Sequence, residues 1–290
     1  MNQPLIFFGA FLIFTAVILL YLWIIHPHFK KRELDILRST RYFAHRGLWD
    51  LSKGIPENSM PAFQAAVANG YGIELDVHLT RDRKLVVFHD NSLKRICGVK
   101  GTPETSTYDE LCVLRLSGTE ERIPLLSEVL SMVSGRVPLL IEMKLPDLST
   151  GLCSYLKDEL SRYEGPFLIE SFNPLGLRRI RKELPDVMTG QLATKYGAKV
   201  RIPYPLKIAS AALLFHVISR PDFIAYNFRA ADGLSLTINR RLYHTPTFAW
   251  TIRSEEDLKV CDNEYDAIIF EHCLPRISAH RGHLPHFTAS

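Results

Sequence analysis

Short apolar segments alternate with helical patterns along most of this 290-residue chain. Runs rich in Val, Ile, Leu and Phe, which are typical of buried strands, lie at 42–44, 72–79, 85–89, 138–144, 167–172, 187–194, 223–227, 247–251 and 267–270. Helical patterns lie at 61–69, 108–114, 127–133, 151–163, 175–183 and 254–264. About eight strands that alternate with helices over about 250 residues predict an α/β fold, a (β/α)8 TIM barrel. A doubly wound open sheet is the alternative, and the lack of a Gly-rich strand-to-helix turn for nucleotide phosphates disfavours it.

One long apolar segment precedes these elements. Leu5 to Ile25 contains no charged side chain, and a helix of that length spans about 30 Å, the thickness of a bilayer core. Tyr21 and Trp23 near its end suit a membrane interface. A cleaved signal peptide is less favoured because residues 1–4 carry no basic side chain and no small-residue cleavage site ends the run. A buried core helix is rarely apolar on all sides, so the segment predicts a single transmembrane anchor in contact with membrane lipid.

The flanking charges and the cysteines predict where the rest of the chain lies. Lys30, Lys31 and Arg32 follow the apolar segment, and the positive-inside rule then puts the carboxyl-terminal side in the cytoplasm. The five cysteines form no Cys-x-x-Cys pair, which suits free thiols in a reducing compartment. The predicted organisation is an anchor and basic linker at 1–40, with the helix at about 5–25, a catalytic barrel at 41–275 and a tail at 276–290. The net charge of +4 is too small to indicate a nucleic-acid partner.

Pairs of charged residues stand in the apolar strands. Glu74 and Asp76 are two apart on a predicted strand, so the period of two points both carboxylates to the same face. Two carboxylates side by side inside a barrel repel and would not both stay ionised. A divalent cation between them resolves that conflict, and oxygen ligands favour Mg²⁺, Ca²⁺ or Mn²⁺. Glu142 can supply a third carboxylate, and Lys144 can supply positive charge to an anionic substrate.

Histidines complete the set of polar residues at strand ends. His45 and Arg46 end the first strand, and His89 ends the predicted third strand. A buried ion-pair network that closes the barrel, such as Glu142 with Lys144, is the alternative explanation. Three acids, two histidines, an arginine and a lysine at strand ends favour a catalytic site, because TIM-barrel active sites lie at the carboxyl ends of the strands.

These residues fall within a series of separated motifs. In order along the chain, they are Ala44-His45-Arg46-Gly47, Pro56-Glu57-Asn58-Ser59, Glu74-Leu75-Asp76-Val77, Thr80-Arg81-Asp82, His89-Asp90, Ile123-Pro124-Leu125-Leu126-Ser127-Glu128-Val129-Leu130, Ile141-Glu142-Met143-Lys144, Ser171-Phe172 and Trp250-Thr251. In order and spacing the series resembles the glycerophosphodiester phosphodiesterase family. The resemblance extends over about residues 41–275 and is most specific in its first half.

The resemblance implies a TIM barrel, one divalent cation and hydrolysis of a phosphodiester. It also implies roles by position. Glu74, Asp76 and Glu142 would hold the metal, with Glu57 close to it; His45 and His89 would be the acid–base pair; Arg46 and Lys144 would bind phosphate oxygens; Asn58 would order its turn, and Trp250 would line the pocket. A metal and Arg46 can neutralise charge that builds in the transition state, while the histidines move protons. Which histidine is the acid is left open.

Three segments depart from the pattern or lie outside it. The last strand ends in Phe270-Glu271-His272, where members of this family often have a Thr-Asp pair, so substrate-binding residues are not assigned there. The tail motif Ala279-His280-Arg281-Gly282 repeats the first motif, and coincidence is favoured because no strand precedes it. Residues 202–218 are apolar, and they predict either a barrel helix with its loop or a flap that dips into the membrane near the mouth.

Three functions therefore compete. The first is hydrolysis of soluble glycerophosphodiesters to glycerol 3-phosphate and an alcohol. The second is a lysophospholipase D or related lipid phosphodiesterase, which the predicted anchor and the apolar segment make plausible. The third is a catalytically inactive barrel that serves as a membrane scaffold, which the intact set of acids and histidines disfavours.

Overall fold

The computed structural model describes residues 3–28, 36–37, 40–146, 149–198 and 200–277. Its sheet contains β1 (Tyr42–His45), β2 (Gly72–Leu79), β3 (Leu85–Val87), β4 (Leu139–Met143), β5 (Phe167–Ser171), β6 (Thr189–Ala193), β7 (Phe223–Asn227), β8 (Thr247–Ile252) and β9 (Ala267–Phe270). All of these strands except β3 pair in parallel with both neighbours, in the order β1-β2-β4-β5-β6-β7-β8-β9 and back to β1. The ring of eight parallel strands confirms the predicted (β/α)8 barrel.

Helices cover the outside of this ring and precede it. They are α1 (Gln3–Ile25), α2 (Met60–Ala68), α3 (Lys94–Cys97), α4 (Tyr108–Cys112), α5 (Leu126–Val133), α6 (Gly151–Leu160), α7 (Pro174–Glu183), α8 (Tyr204–Ala211), α9 (His216–Ser219), α10 (Leu234–Arg241) and α11 (Glu255–Cys261), with short 3-10 segments at Leu51–Lys53, Pro103–Thr105 and Phe228–Ala230. Caps start several of them. The hydroxyl of Ser59 accepts from the backbone N–H of Ala62 at the start of α2, and that of Ser254 accepts from Asp257 at the start of α11.

The prediction that residues 85–89 form the third strand of the barrel is wrong. Leu85–Val87 pairs antiparallel with β2 and forms a hairpin at its end, so it is not one of the eight barrel strands. Only a short turn separates the two strands, and a parallel connection needs a crossover of about a dozen residues or more. Thr80 closes the turn, because its hydroxyl accepts from the backbone N–H of Lys84 and donates to Asp82. The hairpin carries the chain back beside β2, where the N–H of Phe88 donates to the carbonyl of Asp76.

The two faces of the barrel strands have separate cores. Residues such as Ile73, Leu75 and Ile141 point outward and pack beneath the helices. Phe43, Phe223 and Phe248 fill the interior, where the last two stack with ring centroids 4.3 Å apart. Phe223 fits because β6 carries glycine opposite it: a Cβ atom at Gly190 would lie 2.1 Å from its ring. Since apolar rings fill the interior toward the amino ends of the strands, the polar residues of the interior are left to the opposite end.

In the described part of the chain, helix α1 is attached to the barrel through its last residues, from Tyr21 onward, and through the residues that follow. Most described side chains between Gln3 and Leu20 are exposed, whereas Ile25 is fully buried. The stretch Ile6–Ile25 has a mean hydropathy of 2.6 and is long and apolar enough to cross a membrane; no other helix in the described ranges is. The predicted basic cluster at Lys30 to Arg32 and the tail motif at 279–282 lie outside the described residues.

Candidate active site

The register of the barrel strands places the charged residues of the interior side by side. His45 of β1 lies opposite Glu74 of β2, and Asp76 lies opposite Glu142 of β4. Glu142 lies in turn opposite Glu170 of β5. Paired residues on neighbouring strands point to the same face of a sheet, so these side chains converge inside the barrel at the carboxyl ends of the strands.

Three of these acids form a compact buried cluster. One carboxylate oxygen each from Glu74, Asp76 and Glu142 lie within 4.8 Å of one another. Burial, together with the nearby charge of Asp76, raises the pKa of Glu74 well above its usual value. Burial would also raise the pKa of Asp76, but the ammonium group of Lys144 above all holds it well below its usual range. The Nζ atom of Lys144 lies 2.8 Å from both Asp76 Oδ1 and Glu142 Oε2.

This cluster fits a divalent cation. Burial raises the pKa of Glu142, although its contact with Lys144 opposes that shift. One ammonium group therefore does not balance the buried carboxylates around it. The donors are all oxygens, the set that Mg²⁺, Ca²⁺ and Mn²⁺ prefer. The acidic cluster is therefore a site at which these side chains could hold such an ion.

Glu170 adds a fourth buried carboxylate that the sequence analysis did not single out. Burial and the charges of Glu142 and Asp76 raise its pKa well above the usual value, and its Oε2 atom is buried with no hydrogen-bond partner. The signal was present in the sequence, because Glu170 is an ionisable residue within an otherwise apolar strand, as Glu74 and Glu142 are. That criterion, applied to every strand, would have found it.

His45 is held by a second residue that the sequence analysis missed. Its Nδ1 atom lies 2.5 Å from Glu271 Oε2, and Arg253 donates to the other oxygen of the same carboxylate. Burial lowers the pKa of His45, and the hydrogen bond with Glu271 opposes that shift. Burial alone would raise the pKa of Glu271, but the hydrogen bonds from His45 and Arg253 lower it to about 2. Glu271 directly follows β9, in the segment where the family pattern and this sequence differ.

His89 is likewise held by a carboxylate that an arginine binds. Its Nδ1 atom lies 2.7 Å from Asp90 Oδ1, and Arg95 binds both oxygens of Asp90, at 2.6 and 2.8 Å. Burial lowers the pKa of His89 to about 4. Arg95 also donates two hydrogen bonds to Glu57, at 2.8 and 2.9 Å, and Glu57 accepts a third from Arg46 at 2.6 Å. Glu57 is thus bound by two guanidinium groups in this structure.

The turn after β1 directs backbone and side-chain groups at the acids. Arg46 has φ +58°, and its backbone N–H donates to Glu74 Oε2 at 2.9 Å. Gly47 follows with φ +82°, and a Cβ atom there would lie 2.9 Å from Ala62, so the turn requires glycine. Asn58 has φ +53° and donates from Nδ2 to Asp76 Oδ2 at 2.8 Å; asparagine tolerates this conformation better than most residues do.

Most of the predicted site residues line one cavity of about 230 Å³ at the carboxyl ends of the strands. They are His45, Arg46, Glu74, His89, Glu142, Lys144 and Trp250. Asp76, Asn58 and Glu57 lie behind this wall and contact it through the bonds described above. Phe172 and Trp250 form an apolar side, with their rings edge-to-face at 5.8 Å. Within this wall the sequence analysis missed the buried Glu170, and it also missed Asn227, Arg229 and Arg253.

Replacing Glu271 tests the role of the bond to His45. A Glu271→Gln variant keeps the shape of the side chain but loses its charge, so it supports protonated His45 less well. We expect kcat for a phosphodiester to fall about 10- to 100-fold while KM changes little. The limb of the pH profile that follows His45 should move to lower pH, because the bond with Glu271 raises the pKa of His45. A steady-state pH profile measures both. An unchanged profile in Glu271→Gln would show that this bond serves only to pack the strand end.

Comparisons with known proteins agree with this geometry. Residues 45–273 match the model of the glycerophosphoryl diester phosphodiesterase family. A glycerophosphodiester phosphodiesterase of Caldanaerobacter subterraneus is 30% identical over 235 residues, which cover 76% of this chain and 88% of the relative. One of Bacillus altitudinis is 37% identical over 161 residues, 51% of this chain and 64% of the relative. A lysophospholipase D of Rattus norvegicus is 36% identical over 149 residues, 47% of this chain and 45% of the relative.

Solved structures share the fold. An Oleispira antarctica phosphodiesterase in complex with the product sn-glycerol-3-phosphate superposes with a TM-score of 0.65 at 22% identity, covering 80% of this chain and 93% of the other. A glycerophosphodiester phosphodiesterase from Thermotoga maritima gives a TM-score of 0.61 at 24% identity, covering 79% and 93%. At this level of identity the likeness extends to the barrel.

Proposed function

The chain belongs to the glycerophosphoryl diester phosphodiesterase family, and from that membership we propose that it hydrolyses glycerophosphodiesters to glycerol 3-phosphate and an alcohol. One observation carries the proposal: two histidines, each held by its own carboxylate, line a single cavity with Glu74 and Glu142, and the third buried carboxylate, Asp76, lies behind that wall. A scaffold protein has no need to keep so many ionisable groups out of water, because burying them costs folding free energy.

We propose that Glu74, Asp76 and Glu142 hold one divalent cation, Mg²⁺, Ca²⁺ or Mn²⁺. When bound, such an ion would neutralise negative charge on the phosphate. The proximity of the three carboxylates and the raised pKa of Glu74 support this assignment. Glu57 was expected close to the metal, but Arg46 and Arg95 both bind it. These bonds support a different role for Glu57, which is to orient Arg46 toward the phosphate.

His45 and His89 are the proposed acid–base pair. Burial lowers both pKa values, so both imidazoles are neutral near pH 7 and either one can accept the proton of an attacking oxygen. Glu271 and Asp90 occupy the Nδ1 side of the two rings, which leaves each Nε2 atom for substrate. An anionic phosphate between the rings stabilises an imidazolium, and that supports one histidine as the donor of a proton to the leaving alkoxide.

Positive side chains at the cavity can bind the substrate. Arg46 and Lys144 border it, and their pKa values are raised by the surrounding carboxylates despite burial, so both stay charged. We propose that they pair with phosphate oxygens. Trp250 and Phe172 give the cavity an apolar wall against which the carbon atoms of the substrate can pack.

A substrate panel tests the reaction. The purified full chain would be incubated with glycerophosphocholine and glycerophosphoethanolamine in Mg²⁺, Ca²⁺ or Mn²⁺, and glycerol 3-phosphate would be measured. The expected result is metal-dependent release of glycerol 3-phosphate with free choline or ethanolamine. Release of phosphocholine with glycerol would place the cleavage on the other ester bond and would contradict the proposal.

A lipid substrate is the second candidate, and α1 favours it because that helix is apolar and mostly exposed. The resemblance to the lysophospholipase D of Rattus norvegicus points the same way. Lysophosphatidylcholine with Mg²⁺ or Ca²⁺ would then yield choline and lysophosphatidic acid. Turnover of glycerophosphocholine alone would count against a lipid substrate.

We also propose that α1 anchors the chain in a membrane as a single span with the barrel in the cytoplasm. The basic residues Lys30, Lys31 and Arg32 support this orientation. The five cysteines form no Cys-x-x-Cys pair, which supports the same side, because free thiols suit a reducing compartment. Protease would be added to sealed cells and to lysed cells. A barrel that resists digestion in sealed cells and is digested after lysis would support this orientation. Digestion in sealed cells would indicate the opposite orientation.

A further inference from the structure

Helix α8 lies on the mouth side of the barrel, beside the active-site cavity. The hydroxyl of Ser210, near its end, donates to the carbonyl of Thr194 at 3.0 Å. Thr194 directly follows β6, so it marks the carboxyl end of that strand. The carbonyl of Ala211 lies near Gly233, the residue before α10, on the same side of the barrel. The helix therefore stands at the rim of the mouth and is not one of the helices that pack along the strands.

Much of the exposed surface of α8 is apolar. Tyr204 and Ile208, one turn apart, are 73% and 45% exposed, and Leu206 on the other side of the helix is 46% exposed, whereas the one buried side chain of α8 is that of Ser210. Leu234, the first residue of α10, is 69% exposed on the same side. A grouped set of large exposed apolar side chains marks a surface that contacts a partner or a membrane. We call these four residues the apolar rim.

The direction of α1 shows which way this rim faces relative to the anchor. At its end, the carbonyl of Ile25 accepts from His216 Nδ1 at 2.9 Å, and the N–H of His28 donates to the carbonyl of Pro221. Pro221 lies two residues before β7, at the amino end of the strands. One turn earlier, Tyr21 bonds Ser235 at the start of α10, toward the mouth, at 2.6 Å. The helix therefore runs from the mouth side toward the amino ends of the strands.

The free part of α1 consequently projects beyond the mouth. Residues 3–20 would extend about 27 Å at about 1.5 Å per residue, close to the thickness of a bilayer core. The attachment is firm, because Arg220 donates to the carbonyls of Trp23 and His26 and Tyr243 donates to that of Leu22. These bonds satisfy carbonyl groups at the helix end and fix the direction in which the helix leaves the barrel.

Charge at the rim suits an anionic bilayer. Arg201, which is exposed, and Lys207, whose Nζ atom bonds the carbonyl of Gly197, flank the apolar residues of α8. Lys195 lies nearby and faces Asp232 at 3.6 Å, so the excess positive charge comes from the first two. Apolar side chains interleaved with basic ones are typical of elements that lie in the interface of an anionic membrane.

We propose that the mouth of the barrel faces the bilayer that holds α1, with the apolar rim seated in its interface, and that the enzyme takes substrates from that surface. An amphiphile with one acyl chain could keep its chain in the bilayer while its phosphodiester head group enters the cavity between Trp250 and the acidic cluster. The orientation rests on the anchor alone, whereas the choice of a lysophospholipid as substrate rests on the proposed hydrolysis.

The orientation can be tested without activity. The full chain would be reconstituted into vesicles of equimolar phosphatidylcholine and phosphatidylglycerol, with or without brominated acyl chains, which quench indole fluorescence on contact. We expect the indole added by Leu206→Trp to be quenched and that added by Val260→Trp not to be. Val260 is 62% exposed near the end of α11, before β9 and thus away from the mouth. Equal quenching of the two added indoles, or none at position 206, would overturn the proposed orientation.

Kinetics then test the use of the rim. A Leu206→Asp variant places a charge in the interface, so we expect kcat/KM for lysophosphatidylcholine in these vesicles to fall about tenfold. Turnover of glycerophosphocholine should stay within about twofold, because Leu206 contacts no part of the cavity. Val260→Asp is the matched control. Equal changes for both substrates, including no change, would overturn the role of the rim. Quenching at 206 without hydrolysis of any phosphodiester would instead uphold the orientation and reject the proposed reaction.

Discussion

An Asp76→Asn variant is expected to lose at least about a thousandfold in kcat for glycerophosphodiesters. Asp76 is fully buried, sits in the centre of the acidic cluster and is the member whose pKa is held lowest, so it is the most firmly ionised of the three carboxylates. Asparagine has nearly the same shape but no charge, so it removes one of the three anionic oxygen donors that would hold the ion. Steady-state kinetics in Mg²⁺, Ca²⁺ and Mn²⁺ would measure the loss.

The same variant should also lose the response of stability to metal. A ligand that binds only the folded state raises the melting temperature as its concentration rises. We expect divalent cations to raise Tm of the parent, chelator to reverse that shift, and neither to change Tm of Asp76→Asn. The fold itself should survive, because Lys144 keeps its contact with Glu142 and Asn58 can bond the new amide.

Asp158→Asn provides the matched control, since that aspartate is exposed on α6 and far from the strand ends. It should match the parent in rate and in metal response. Full activity of Asp76→Asn, or a metal response equal to that of the parent, would show that the acidic cluster is not the metal site. If the activity of His45→Ala and Glu74→Ala also equalled that of the parent, the inactive scaffold would become the better hypothesis.

The sequence predicted the barrel and many of the charged residues that line the cavity, because both depend on local patterns. Glu74 and Asp76 fall on one face of a strand by alternation alone, and His45, His89 and Lys144 stand out as polar residues at the ends of apolar strands. Local patterns do not show which residues make contact when they are far apart in the sequence. Glu271 meets His45 although the two lie more than two hundred residues apart, and only the closure of β9 onto β1 brings them together.

Three other outcomes also have physical causes. The stretch at 85–89 has the composition of a barrel strand, but its place directly after β2 allows only a hairpin. Helix α10 was not predicted because Leu234, Leu236 and Ile238 alternate with polar residues, a period of two that imitates a strand. For the segment that contains helix α8, the sequence allowed either a barrel helix with its loop or a flap near the mouth. Its apolar composition does not distinguish the two, and in the structure Tyr204, Leu206 and Ile208 are exposed.

Removal of either histidine of the proposed acid–base pair should show which one donates the proton to the leaving group. We expect His45→Ala and His89→Ala each to lower kcat for glycerophosphocholine about a hundred- to ten-thousandfold. A substrate whose leaving group is p-nitrophenol needs little protonation, because the phenolate is a far weaker base than an alkoxide. The variant that lacks the general acid should recover most of its rate on this substrate, and the variant that lacks the base should not.

The structure shows why the two variants should differ although the histidines look alike. Each ring is oriented by a carboxylate that is itself held by an arginine, Arg253 for His45 and Arg95 for His89. The two rings nevertheless approach the acidic cluster from different strands, with His45 Nε2 4.0 Å from Glu74 Oε2. The proposed division of labour puts one ring at the attacking oxygen and the other at the leaving oxygen, as an in-line displacement requires. Recovery in both variants, or in neither, would contradict a division of labour between one acid and one base. Glu271→Gln should then follow the pattern of His45→Ala in weaker form, because it acts through that ring.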